Sequence, residues 1–390
     1  MPHWQNWSGK LQAEPGNLVF LRSEADAQAL AQAATQRGET LRVAGATHSH
    51  APLLPIDDSI IDVGAFTGVI SVDPELRTAT VGGGAPIYSL GPALHHHNLA
   101  LANQGDIDRQ HIAGATATGT HGTGETLKNL SAQVVGIRLI TAAGDIVDAD
   151  PSDNASVWNA ARLHLGAFGI VSAVTLQLRE AYKLKEASWQ EPLDAILDRS
   201  EQLAQENRHF EFFWYPRGDR AQAKIINETS DAPQYPVADE GERCNWNYEV
   251  LPNHRPHKHT EMEYSVPREH GIECMQEIRR LLQTQFKDVA WPVEYRTLAS
   301  DDVWLSTANS RETVTISVHE DVRLDEAPYY RACEEIFLHY KGRPHWGKVN
   351  YLSGQQLADC HSDWDAWWQE RDAIDPTGTF LNDYLKAIRP

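Results

Sequence analysis

The chain has 390 residues, 41% apolar and 23% charged, the balance of a soluble globular protein long enough for two domains. A formal net charge of −20 speaks against nucleic-acid partners, which need clustered Lys and Arg, and against anionic membrane surfaces. No apolar run reaches transmembrane length, and MPHWQNWSGKLQAEP is not a Sec leader. The four cysteines show neither CxxC spacing nor disulfide density, so a cytoplasmic monomer without membrane insertion is expected.

Ser23 predicts a helix N-cap, with Glu24 and Asp26 in the first turn and Gly38 at the end. Strand LRVAG follows, then AGATHSH (44–50), a small-residue turn with two histidines, then strand SIIDVGAF. GVISVDPELRTATVGGG alternates apolar and polar residues about a Pro-containing turn, which predicts a hairpin. PIYSLGPALHHHN reads as a helix, QVVGIRLITAAGDIVDAD as a second hairpin and GIVSAVTLQL as a long apolar strand. Strands and helices do not alternate regularly up to about residue 178, which favours α+β over a doubly wound sheet. Beyond it come helix EPLDAILDRSEQLAQEN and strands HFEFFWYP, AKIINE, EMEYSVP, WPVEYRTLA and VTISVHEDV. With helices near 268–284 and 326–340, they predict an antiparallel sheet with helices on one side. Residues 231–258, rich in Pro, Asn and charge, read as a surface excursion.

Residues 113–124, AGATATGTHGTG, hold the densest chemical signal. Glycines allow close backbone approach and present successive N–H groups to an anion, and threonine hydroxyls add donors. The stretch lacks the Lys-Ser/Thr end of a Walker A loop and is not GxGxxG, yet it suits a diphosphate-bearing cofactor. In VEYRTL, Glu294 and Arg296 share one strand face, as do Ser317 and His319 in TISVHED, and RPHWGKVNY adds His345 and Lys348. Alone, each set reads as a surface ion pair or packed polar group; together they suit one polar pocket. The histidines at 95–97, and His254, His257 and His259, lack zinc-motif spacing and read as solvated, so no metal is expected.

Taken in this order, AGATHSH, GDIDRQHIAGATATGTHGTG, RLHLGAFGIVSAVTLQL, E-Y-R, RPHWGK and DPTGTFLNDYL resemble one flavoprotein group. It is the sugar-1,4-lactone oxidase and alditol oxidase branch of the vanillyl-alcohol-oxidase family. The likeness runs from near residue 5 to the C-terminus and is thinnest between about 180 and 260. It implies a two-domain, PCMH-type FAD-binding fold: an FAD domain over 1–178, an antiparallel-sheet cap over 179–355, and a segment over 356–390 returning to the FAD domain.

The resemblance also implies FAD bound covalently through His48, with Gly45, Ala46, Thr47, Ser49 and His50 beside it. Gly105, Asp108, Gly114, Thr118, Gly119, His121, Gly122 and Gly124 are implied along the cofactor, Ile170 by its adenine end, and Asn382 and Tyr384 near the flavin. Lys348, Arg296 and Glu294 are implied as the catalytic cluster, with Glu261, Ser317, His319 and His345 binding substrate. Lys348 serves as the base if Arg296 depresses its pKa; an ordinary lysine is protonated and only binds. The activity implied is oxidation of the CH–OH group of an aldono-1,4-lactone, with O2 or another acceptor taking the electrons. The alternatives are an alditol oxidase acting on a terminal CH2OH and a flavin-bearing binding or sensor protein. The G-D-I-D loop, and Glu261 and His319 where polyol enzymes use neutral groups, side with the lactone.

Overall fold

The computed structural model describes residues 2–390. Strand β1 (Asn17–Phe20), helix α1 (Glu24–Arg37), strand β2 (Leu41–Ala44) and strand β3 (Ser59–Asp62) open the fold as a parallel sheet in the order β1-β3-β2. The α1 boundaries follow the sequence: the Ser23 side chain accepts from the Asp26 N–H, and Gly38 ends the helix at φ 68°.

A second, antiparallel sheet takes both expected hairpins. It uses β4 (Val69–Asp73), β5 (Thr78–Gly82), β6 (Val134–Ile140), β7 (Ile146–Ala149) and β8 (Ile170–Gln177), in the order β7-β6-β8-β5-β4. Helices α2 (Ile87–His95) and α3 (Ile112–Ala117) precede β6, and α4 (Ala155–Ala161), which the sequence reading does not foresee, precedes β8.

The third sheet has eight strands. They are β9 (Lys183–Pro192), β10 (His209–Tyr215), β11 (Arg220–Glu228), β12 (Cys244–Trp246), β13 (His259–Pro267), β14 (Val293–Leu298), β15 (Thr313–Asp321) and β16 (Arg343–Pro344). Their order is β12-β9-β11-β10-β14-β15-β13-β16, antiparallel throughout. Strand side chains alternate between two faces, and here the two faces differ completely. Phe212, Trp214, Tyr295, Ile316, Met262 and Tyr264 are buried on one, in a single core with the helices α5 (Gly271–Thr284) and α6 (Ala327–His339). The other carries Glu211, Lys224, Glu261, Glu263, Glu294 and Arg296, and these too are buried.

Two expectations need correcting. The helix expected from 191 is broken into Leu193–Leu197 and Ser200–Glu206. The stretch 231–258 is no plain surface excursion: Cys244, Asn245 and Asn247 are buried, and the buried Glu186 carboxylate accepts from the Gly241 and Arg243 N–H groups and the Arg243 guanidinium. A buried ion pair with its hydrogen bonds completed holds this segment down.

The last segment packs on the first unit. Trp367 Nε1 donates to the Ala160 and Leu163 carbonyls at 3.1 and 3.0 Å. The buried Arg42 guanidinium donates to the carbonyls of Leu53, Leu165, Gly166 and Phe380, tying β2 to the chain end.

Candidate active site

A cleft runs from the first unit onto the polar face of the third sheet. Its first part is lined by Arg42, residues 45–49, Ala113, Gly114, Thr118 and Gly166. The middle part passes Trp7, His48, His50, Asp108, Gln110 and His259. The last part shares His259, Glu261 and Lys348 with the middle and adds Glu294, Arg296 and His319.

The turn that delivers His48 is strained. Thr47 sits at φ 57°, a left-handed conformation that a β-branched residue rarely takes, and its carbonyl accepts from the Trp7 N–H. The His48 ring lies against Trp7 with centroids 5.5 Å apart, and its Nδ1 is 3.0 Å from the Ala46 carbonyl. Burial lowers the His48 pKa and so favours the neutral ring, which faces the cleft. The cleft also suits a large polar cofactor. Gln110 Oε1 and His111 Nδ1 on its wall are buried without a partner, and a side chain added at Gly114 would meet nothing within 4 Å.

At the other end two cations, Arg296 and Lys348, pair with carboxylates. Glu263 is 1% exposed and takes hydrogen bonds from His121 Nε2 (2.7 Å), Ser317 Oγ (2.7 Å) and Arg296. Burial opposes its ionisation, but His121 and Arg296 hold its pKa well below the usual carboxylate value. Glu261 pairs with Lys348, with His319 Nε2 3.7 Å and His259 Nε2 3.8 Å away. Burial works against the Lys348 charge, yet Glu261, with Glu263 behind it, raises its pKa above the ordinary value.

The condition for a basic Lys348, a pKa depressed by Arg296, is outweighed here by Glu261, which favours the charged, hydrogen-bond-donating lysine. Glu294 behaves oppositely. Burial pushes its carboxyl up to about 8, against the pull of Arg296 and with help from Glu211, Asp106 and Glu261. Arg296 lies 3.2 Å from Glu294 but is already committed to Glu263. One guanidinium thus serves two buried carboxylates, and its pull on Glu294 does not offset the cost of burying that carboxyl. Burial also keeps His319 neutral, lowering its pKa to about 4.

The structure brings together on the cleft Gly45 to Ser49, His50, Asp108, Gly114, Thr118, Glu261, Glu294, Arg296, His319 and Lys348. It places others elsewhere. Ser317 and His345 lie in a layer beneath the cleft: Ser317 donates to Glu263, and His345 Nδ1 accepts from the Gly347 N–H at 2.9 Å while its ring packs on His121. The glycine-rich stretch divides in two: its first half is helix α3, where the Ala113 N–H goes to the Gly83 carbonyl, and in its second half the Gly124 N–H goes to the Thr297 carbonyl. Gly119 makes a turn at φ 73°, and a side chain at Gly122 would collide with the Gln104 carbonyl, so that glycine serves packing. Gly105 packs on Thr120 and His121.

Ile170 is buried in the core with α1, and Asn382 caps the last helix while donating to the Pro52 and Pro55 carbonyls. Tyr384 lies beside Asn382 on a separate surface hollow. His259, expected to be solvated, sits in the cleft between Trp7, Trp291 and His319. Glu263 is the residue missed. The signal was present, because in E-M-E-Y the two glutamates stand two apart and share the face of Glu261.

The FAD binding domain family matches this chain over residues 15–150, and the D-arabinono-1,4-lactone oxidase family over residues 174–242 and 234–388. The L-gulono-1,4-lactone dehydrogenase of Mycobacterium tuberculosis is 36% identical, with 99% of each chain covered. The alditol oxidase of a Streptomyces species is 30% identical, covering 85% of this chain and 86% of its own. A solvent-stable cholesterol oxidase shares the fold at a TM-score of 0.89 and 16% identity, with 99% of this chain and 97% of the other covered.

Replacing Glu263→Gln keeps the volume of the side chain and strips Arg296 of its main carboxylate. Urea denaturation should show a stability loss of about 3 kcal/mol, the cost of leaving a buried charge half-paired. An unchanged midpoint would mean that Arg296 does not depend on Glu263.

Proposed function

The chain belongs to the D-arabinono-1,4-lactone oxidase family, and we propose that its polar sheet face oxidises a CH–OH group of an aldono-1,4-lactone held against Lys348, Arg296 and Glu294. It is an FAD-dependent oxidoreductase of sugar lactones. One observation carries the division of labour: Lys348 pairs with Glu261 and Arg296 with Glu263, and a third carboxyl, Glu294, stands 3.2 Å from Arg296 on the same part of the cleft.

When bound, FAD supplies the two-electron acceptor that takes the carbinol hydrogen as hydride. The residues do the rest. Lys348 and Arg296 donate to the substrate oxygen and offset negative charge growing on it. A Glu294 carboxylate oxygen receives the hydroxyl proton, which suits a base with a pKa near the working pH. Glu261 and the neutral His319 meet the remaining hydroxyls. His48 carries the FAD covalently, aimed into the cleft by the strained Thr47. Residues 1–178 form the FAD domain, 179–355 the cap and 356–390 the returning segment, a division in keeping with the Arg42 and Trp367 contacts.

A lactone presents a carbonyl acceptor on a ring, which two fixed donors recognise better than they do an extended polyol. With a dye as electron acceptor and again with O2, kcat/KM for the best aldono-1,4-lactone should exceed that for xylitol by at least about tenfold, roughly 1.4 kcal/mol. The reverse ranking would assign the protein to polyols.

The pH dependence tests the base. A required carboxylate is present above its pKa and lost below it, so the flavin reduction rate should rise with pH to a plateau, half-complete near about 8. Glu294→Gln should remove that limb. If Lys348→Met removes it and Glu294→Gln leaves it, the proton goes to the lysine instead.

For His48, protein precipitated in trichloroacetic acid should stay yellow, and His48→Ala should release its flavin to the supernatant. Colourless wild-type precipitate would sink the covalent assignment.

A further inference from the structure

The cleft is longer than one lactone needs. Its last part reaches from Lys348 and Glu261 on β13 across β15, β14, β10 and β11 to Ser188 on β9. These are six adjacent strands, and five spacings of about 4.8 Å make a floor of about 24 Å, several times the width of a five-membered lactone. The register puts the side chains on one face. Arg296 stands opposite Glu211, Glu211 opposite Lys224, and Lys224 opposite Ser188, while Glu294, Phe213 and Gln222 form the neighbouring row.

The two ends of this floor differ in chemistry. The Lys348 end holds the catalytic charges. The far end offers Phe213, Tyr215, Gln222 and Ser188, and Tyr215 stands 41% exposed at its mouth. Each cation there is already balanced: Lys224 lies 2.7 Å from Glu211 and 3.2 Å from Glu240, and Arg255 lies 3.0 Å from Glu240 and 3.2 Å from Asp106. A phosphate on the substrate would find no free positive charge. A neutral ring with several hydroxyls would find amide, hydroxyl and aromatic partners, the mix by which concave sites orient small ligands.

Building on the lactone reading above, we infer that the far end is a second saccharide subsite and that the enzyme accepts aldono-1,4-lactones carrying a glycosyl unit. In a hexono-1,4-lactone O4 closes the ring, so the extra sugar leaves from the exocyclic O5 or O6. The lactone ring stays by Lys348 and Arg296, and the appended sugar lies over Phe213 toward Tyr215 and Gln222.

The test compares L-gulono-1,4-lactone with the same lactone bearing a galactosyl unit on O6, using the flavin-loaded enzyme and its Tyr215→Ala and Gln222→Ala variants. Wild type should turn over the galactosylated lactone with kcat/KM within about threefold of the parent or above it. Each variant should lose at least about tenfold on the galactosylated lactone and change the parent by less than about threefold, because only the longer substrate reaches these side chains. Titration of the flavin absorbance should show the same selective loss in Kd. Turnover of the parent with rejection of the galactosylated lactone would overturn the subsite and leave the lactone reading intact. So would variants that weaken both substrates equally. Turnover of neither would overturn the lactone reading, and the subsite with it.

Discussion

One buried carboxylate, Glu263, organises the molecule's chemistry. It receives hydrogen bonds from His121 in the glycine-rich stretch, from Ser317 on β15 and from Arg296 on β14, and its backbone carbonyl accepts from the His345 N–H. Four separate stretches of sequence meet on one residue. Glu263 and Glu294 share the Arg296 charge, and burial raises the Glu294 carboxyl to about 8 while Glu263, with His121 and Arg296 against it, stays well below the usual carboxylate value. Glu294 shares the same guanidinium at 3.2 Å, and its raised pKa reflects burial outweighing that single partner.

The eight-stranded sheet reverses the usual logic of an antiparallel sheet. Such sheets commonly pack one face on a core and leave the polar one to water. Here the apolar face packs on α5 and α6, and the polar face is buried as well. Burying so many charges is costly unless each has a partner. The pairs Lys348–Glu261, Arg296–Glu263, Lys224–Glu211 and Arg243–Glu186 meet that demand. The covered polar face gives a cleft in which electrostatic interactions are strong and hydroxylated substrates are recognised by fixed donors and acceptors. The ion pairs of the 231–258 segment serve both tasks, pinning that segment and neutralising the far part of the floor.

The cofactor side rests on backbone geometry more than on charge. Thr47 is held in a left-handed conformation between Trp7 and the following histidine, and Arg42 binds four carbonyls from three parts of the chain. Contacts of this kind fix where His48 points, and they depend on the last helices returning to the first unit.

Local order was legible in the amino-acid sequence because it follows from local rules. Ser23 and Gly38 bounded their helix, period-two alternation located the hairpins and the long strands, and i, i+2 spacing put Glu294 with Arg296 on one face. The sequence by itself also determined, through the order of its motifs, that the chain is a flavin-dependent lactone oxidoreductase. Tertiary structure alone decided the protonation roles. The Lys348 charge is favoured because Glu261, 87 residues away in the chain, lies against it, and the Glu294 pKa is raised because the folded sheet buries its carboxyl. It likewise decided that half of AGATATGTHGTG is a helix, and that His259 faces the cleft. A pKa depends on burial and on charges within a few ångströms, and neither quantity exists until distant strands have been placed side by side.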